Sequence, residues 1–317
     1  GFTDQHVAET LFSTTAALFV ILAVKEAGQK QLTLDNILKF SRAALIRLIV
    51  FSVVVGILME RYLAKWQWVL PFVCGIALYF IIRLNWRALI KTLIFSILAG
   101  IFLGIYLITW SGAMLFVFII SLYFIIQFII DHLKIKPIVH LGIISLILFL
   151  VAFLIFLPSV IYTVRFLIIA INIAVIIPVV LSIVSWLLSA RGMKPVYYPL
   201  VMVGIGIISV AIFYAIDAST FKAILSNFNI FAPSGATATT TLEMQPFLSP
   251  QGSFSTLVAW GNFSTNFFLF KSWPVPGFGL IAFVILIWLS IKQRADDRSV
   301  LFFLIWTAII LIATLSQ

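Results

Sequence analysis

Asp4 and His6 stand two positions apart in the opening stretch GFTDQHVAE, at the edge of the first apolar run. A carboxylate and an imidazole so placed could share a divalent cation: Mn2+ or Mg2+ where oxygen ligands dominate, Zn2+ where nitrogen does. Residues two apart project to one side in an extended or turn segment and to nearly opposite sides in an α-helix. A shared ion therefore requires both to lie just ahead of a helix that starts near His6; Thr3 as an N-cap would instead draw them into its first turn. On spacing alone, a polar, solvated helix entrance is the plainer reading of these residues. Glu9 then falls inside the first span, where a carboxylate is either paired or functional.

The third candidate is Glu243, the single charge between Lys222 and Lys271, in SGATATTTLEMQPFLSP. A Ser/Gly/Ala/Thr run leading to one carboxylate suits a mobile segment that delivers a ligand to a site; a solvated loop glutamate is the plainer reading. Other polar groups carry less. His132 follows Asp131 at a helix end, where a cation complements the helix dipole, and His140 falls on the inner side, far from Asp4. Cys74, inside WVLPFVCGIALYFII, is a small buried hydrophobe that offers neither a disulfide nor a metal cluster. Asn262, Phe263 and Ser264 form a glycosylation sequon. Trp110 and the aromatic NFFLFKSWPVPGFG read as interfacial belts.

The elements that must position these residues follow from composition. The chain of 317 residues is 63% hydrophobic and 9% charged, with a mean hydropathy of +1.23; soluble domains carry roughly 25% charged residues. The expectation is an all-α, polytopic transmembrane bundle, each span needing about 20 apolar residues. Ten spans are predicted: 7–24, 43–59, 66–82, 88–108, 110–130, 138–157, 164–189, 197–216, 275–291 and 299–316. The one long connection, 217–273, separates the eighth from the ninth. Because the chain starts with Gly1 and nothing like a leader precedes the first span, it reads as an internal fragment of something longer.

The net charge of +10 does not point to nucleic acid, because the basic residues are scattered singly between apolar runs. They report topology instead. With the first span running inward, 15 of the 20 Lys and Arg residues fall at the inner connections or next to them. Seven spans lie between the first and the 217–273 connection, so the Asp4 stretch and Glu243 share the outer face.

Three segments then resemble one family. GFTDQHVAE resembles the TDHHVAE-type segment of archaeal oligosaccharyltransferase catalytic subunits, LITWSGAMLFV their TWSGA-type helix, and TTLEMQPF their TIxE loop motif, here Thr240 to Glu243. The order and spacing agree over most of the chain, and residues 41–83 look like an insertion of two apolar segments that keeps the sidedness. Gln5 replaces the first of the usual two histidines, and Thr241 the usual isoleucine.

What the resemblance implies is a glycosyltransferase of the GT-C type, with residues 1–317 as a partial transmembrane catalytic domain and 217–273 as its external loop. Asp4 and His6 would bind Mn2+ or Mg2+, and Glu243 would engage the metal or the acceptor amide. The reaction implied is transfer of a glycan from a polyprenyl (dolichyl-type) phosphate or pyrophosphate to asparagine in Asn-x-Ser/Thr. Partners would be the lipid-linked oligosaccharide, an acceptor protein or peptide, and membrane lipids. The family's first acidic motif is expected upstream of Gly1, and its lipid-phosphate arginine and WWDYG domain beyond Gln317, so the fragment alone is expected to be inactive. Two other readings compete. An O-mannosyltransferase type shares external acidic motifs but not the Glu243 motif. A transporter or structural subunit would place charges or broken helices near the midplane, whereas these spans are apolar at their centres.

Overall fold

The computed structural model describes residues 2–29, 86–109, 113–156, 158–159, 165–216, 218–219, 221–222, 275–292 and 297–316. Among them the secondary structure is helical, with no strand. Eight long helices follow in order: α1 (Phe2–Gln29), α2 (Trp86–Thr109), α3 (Ala113–Leu133), α4 (Val139–Phe156), α5 (Arg165–Ala190), α6 (Tyr197–Ile216), α7 (Val275–Lys292) and α8 (Arg298–Ser316). Their sequences are apolar all round, which is the pattern of helices surrounded by other helices and lipid rather than by water on one side. Hydrocarbon leaves a spanning backbone no partner but itself, so such segments become helices.

Six of the eight are long and apolar enough to cross a membrane: Val7–Gly28, Leu89–Thr109, Ala113–Leu133, Val139–Phe156, Ile171–Ala190 and Tyr197–Ala215. The apolar described parts of the last two are shorter, Phe283–Lys292 and Arg298–Ile309. All eight coincide with expected spans to within a few residues. The expected spans 43–59 and 66–82 lie outside the described residues, as does nearly all of the 217–273 connection.

The chain forms two compact units, Gly1–Gly206 and Ile207–Gln317. In the first, α4 is the central element, with 72% of its span buried. It packs between α2 and α5, while α1 lies along α2 and α3 along α5. In the second, α7 packs against α8, and the Lys292 ammonium sits 4.6 Å from the Trp288 ring centroid.

Small residues set the closest approach. A Cβ added at Gly100 of α2 would lie 2.6 Å from the Leu148 carbonyl oxygen, and one at Gly104 would lie 2.8 Å from Ile155 Cβ, both on α4. This one-turn glycine spacing lets two membrane helices approach backbone to backbone, where dispersion contacts replace the hydrophobic drive that lipid removes. Pro178 lies inside α5, where it has no N–H to give the Ala174 carbonyl; the Ser182 hydroxyl donates back to the Pro178 carbonyl at 2.8 Å.

Candidate functional site at the N-terminal end of α1

The helix α1 begins at Phe2, about one turn earlier than the sequence suggested, so Asp4 and His6 lie within it. Continuing the helix satisfies backbone groups that an apolar surrounding would leave unpaired, and an acidic residue in the first turn suits the helix dipole. On a regular helix, at about 100° per residue, positions 4 and 6 stand roughly 200° apart around the axis, whereas positions 6 and 9 stand roughly 60° apart. One ion can therefore take both Asp4 and His6 only if the first turn opens. The side chains of Asp4 and His6, and the whole Thr240 to Glu243 motif, lie outside the described residues. Among the described residues, no three His, Cys, Asp or Glu side chains gather as a metal would need.

The main described neighbour of α1 is α2, with a smaller contact to α4. Phe19 stacks on Phe95 with centroids 6.3 Å apart, and Phe12 lies 6.5 Å from Phe102. Both pairs advance by seven residues in opposite senses, which is the signature of an antiparallel seam. Phe19 also stacks on Phe102 at 5.7 Å, tying the two levels together. Carried one turn further toward the start of α1, the same register sets Glu9 opposite Tyr106.

Tyr106 is itself fixed. It is buried, its ring meets Phe116 at the start of α3 edge-on, with centroids 6.0 Å apart and planes at 71°, and its carbonyl accepts a hydrogen bond from the Thr109 hydroxyl at 2.9 Å. The N-terminal end of α1, the C-terminal end of α2 and the N-terminal end of α3 thus meet near Glu9, Tyr106 and Phe116. Trp110, Ser111 and Gly112, which complete the TWSGA segment, lie outside the described residues.

The crystal structure of the Archaeoglobus fulgidus oligosaccharyltransferase in the apo form matches 98% of this chain, with a TM-score of 0.59 and 16% sequence identity. The fold is shared with an oligosaccharyltransferase. At that identity the likeness is one of fold, of the GT-C membrane type, and this chain spans 36% of the length of the other. No family model and no curated protein matches the sequence.

Sequence reasoning passed over Tyr106. The available signal was a phenol one turn before the TWSGA segment in an otherwise apolar span, but nothing in the sequence pairs it with Glu9, 97 positions earlier. Asp131 and His132, which the sequence assigned to a structural role, are buried at the other end of α3. His140, in the first turn of α4, is buried as well.

Proposed function

We propose that the protein is a membrane glycosyltransferase that moves a glycan from a polyprenyl phosphate or pyrophosphate carrier to the amide nitrogen of asparagine in Asn-x-Ser/Thr. The observation that carries this reading is the fold likeness to an oligosaccharyltransferase over 98% of the chain. It is supported by the order of the TDQH, TWSGA and TTLE segments along the sequence.

In this reading Asp4 and His6 hold Mn2+ or Mg2+ on the outer face, with the first turn of α1 opening so that both face the ion, and Glu243 completes the site from the long connection. When bound, the cation would stabilise negative charge developing on the leaving phosphate. Glu243 would accept a hydrogen bond from the acceptor amide, orienting a poor nucleophile toward the sugar. Glu9, which the register sets opposite Tyr106 of α2, would help hold the rest of α1 in place while its first turn moves.

The test is a transfer assay. Membranes containing the full-length protein receive a radiolabelled lipid-linked glycan and a peptide carrying Asn-x-Ser/Thr. Labelled glycopeptide is expected with this peptide and none with its Asn→Gln counterpart. Label appearing on the Ser or Thr of both peptides would replace this reading with an O-glycosylating one.

A further inference from the structure

About 30 Å from Glu9, the length of α3, two helices end in the same hydrogen-bond pattern. At the end of α3, Lys136 N–H donates to the Asp131 carbonyl at 2.8 Å and Ile135 N–H to the His132 carbonyl at 3.0 Å. At the end of α5, Met193 N–H donates to the Leu188 carbonyl at 3.0 Å and Gly192 N–H to the Ser189 carbonyl at 3.1 Å. Both are Schellman closures, which need one residue in the left-handed region. Gly192 fills that place in α5, with φ 63°, and it does so without a Cβ to clash. In α3 the place is filled by Ile135, with φ 57°, a conformation that a β-branched residue adopts only against a steric cost.

Protein packing does not repay that cost, because Ile135 is 82% exposed. Lys134 and Lys136 flank it, both exposed. The α5–α6 connection repeats the composition: Arg191 and Lys194 are exposed beside Met193 and Val196, the latter at 63%. Trp186 and Tyr197, also exposed, stand on the adjoining turns, as aromatic side chains do at headgroup level. The connections 133–138 and 191–197 contain no carboxylate.

One residue holds the two connections together. His132 Nδ1 lies 2.6 Å from Ser185 Oγ of α5, and its ring stacks on Tyr198 of α6 with centroids 4.3 Å apart. The Tyr198 hydroxyl in turn donates to the Leu181 carbonyl at 3.1 Å. The cations at the helix C-termini also complement the dipoles there. That accounts for the lysines, but not for an isoleucine kept where glycine is preferred and turned outward.

We propose that the α3–α4 and α5–α6 connections form one binding site for an anionic phospholipid, with Ile135, Met193 and Val196 entering the acyl layer and Lys134, Lys136, Arg191 and Lys194 meeting the phosphate headgroup. Burial in the acyl layer offsets the conformational cost at Ile135, and clustered cations at a membrane surface select anionic headgroups. A free phosphate would use the cations but give the apolar side chains no role.

The experiment uses the purified protein in a neutral maltoside detergent, titrated with phosphatidylglycerol or phosphatidylcholine, with bound lipid counted by native mass spectrometry. Phosphatidylglycerol is expected to bind preferentially, and the double variant Lys134→Gln, Lys136→Gln to lose roughly thirtyfold in affinity for it. The variant Arg191→Gln, Lys194→Gln is expected to lose a comparable amount, which keeps the proposal open to refutation if the first variant does not fold. Ile135→Gly is expected to melt higher, its turn relieved, while binding the lipid more weakly; a purely structural turn would gain stability with no change in binding. Equal binding of the two lipids, unchanged affinity in both double variants, or competition by glycerol phosphate as strong as by the lipid would overturn the proposal.

Discussion

Gly100 stands against Val151 so closely that a Cβ at Gly100 would lie 2.7 Å from that of Val151. The α2–α4 contact is therefore set by an absent side chain. Gly100→Ala and Gly104→Ala should each destabilise the protein by about 1–3 kcal/mol through overpacking. Gly204 and Gly206 on α6 have open space around them, so the same substitution there should be neutral or stabilising by up to about 1 kcal/mol through helix propensity. Thermal unfolding in detergent compares the four variants; equal shifts at all of them would refute the close-packing account.

The Tyr198 phenol and the His132 ring join α6, α5 and α3 at one end of the first unit. Tyr198→Phe removes the hydrogen bond to the Leu181 carbonyl and should cost about 1 kcal/mol. His132→Ala removes both the stack and the bond to Ser185 and should cost more. Tyr198→Leu removes the stacked ring itself, and combined with His132→Ala its loss should fall short of the sum, with a coupling of about 0.5–3 kcal/mol. Strict additivity would show that the two act separately.

The register set by Phe12 with Phe102 and Phe19 with Phe95 brings Glu9 and Tyr106 to facing positions on α1 and α2. A double-mutant cycle of Glu9→Gln and Tyr106→Phe, read by unfolding, should therefore show coupling in the same range. Turnover offers a second readout. If Glu9 steadies α1 behind a metal-binding turn, Glu9→Gln should raise the Mn2+ concentration needed for half-maximal transfer while Tyr106→Phe does so less. No shift in metal dependence for either would confine the pair to packing.

The proposed chemistry makes a separate demand on Asp4 and Glu243. In the full-length protein, Asp4→Ala and Glu243→Gln should each lower turnover by about a hundredfold or more, the scale expected when a group stabilising the transition state is removed, with membrane insertion unchanged. EDTA should abolish transfer and Mn2+ or Mg2+ restore it. Near wild-type turnover in both variants, or activity indifferent to EDTA, would remove the metal-dependent assignment.

The helices were legible because each rests on local information. Segments such as IISLILFLVAFLIF in α4 have no alternative in hydrocarbon but to bond their own backbone. The start of α1 was less legible. Asp4, Gln5 and His6 read as a solvated entrance, yet the helix takes them in from Phe2 onward, which changes the faces on which a metal-binding pair would stand. The site was legible only as a set of motifs, since the spacing of Asp4, His6 and Glu243 says nothing about which of them converge.

The sequence by itself determined that this is an all-helical membrane protein, where its described spans lie to within a few residues, and which polar residues are rare enough to matter. Only the tertiary structure decided that Gly100 meets Val151, that Glu9 lies opposite Tyr106, and that His132 reaches Ser185, 53 positions away. The physical reason is that these helices are apolar on every face, so hydropathy cannot say which face turns inward. Without a hydrophobic drive between them in lipid, the choice of partner and register falls to shape: glycines that admit a neighbouring backbone, and aromatic rings that interlock.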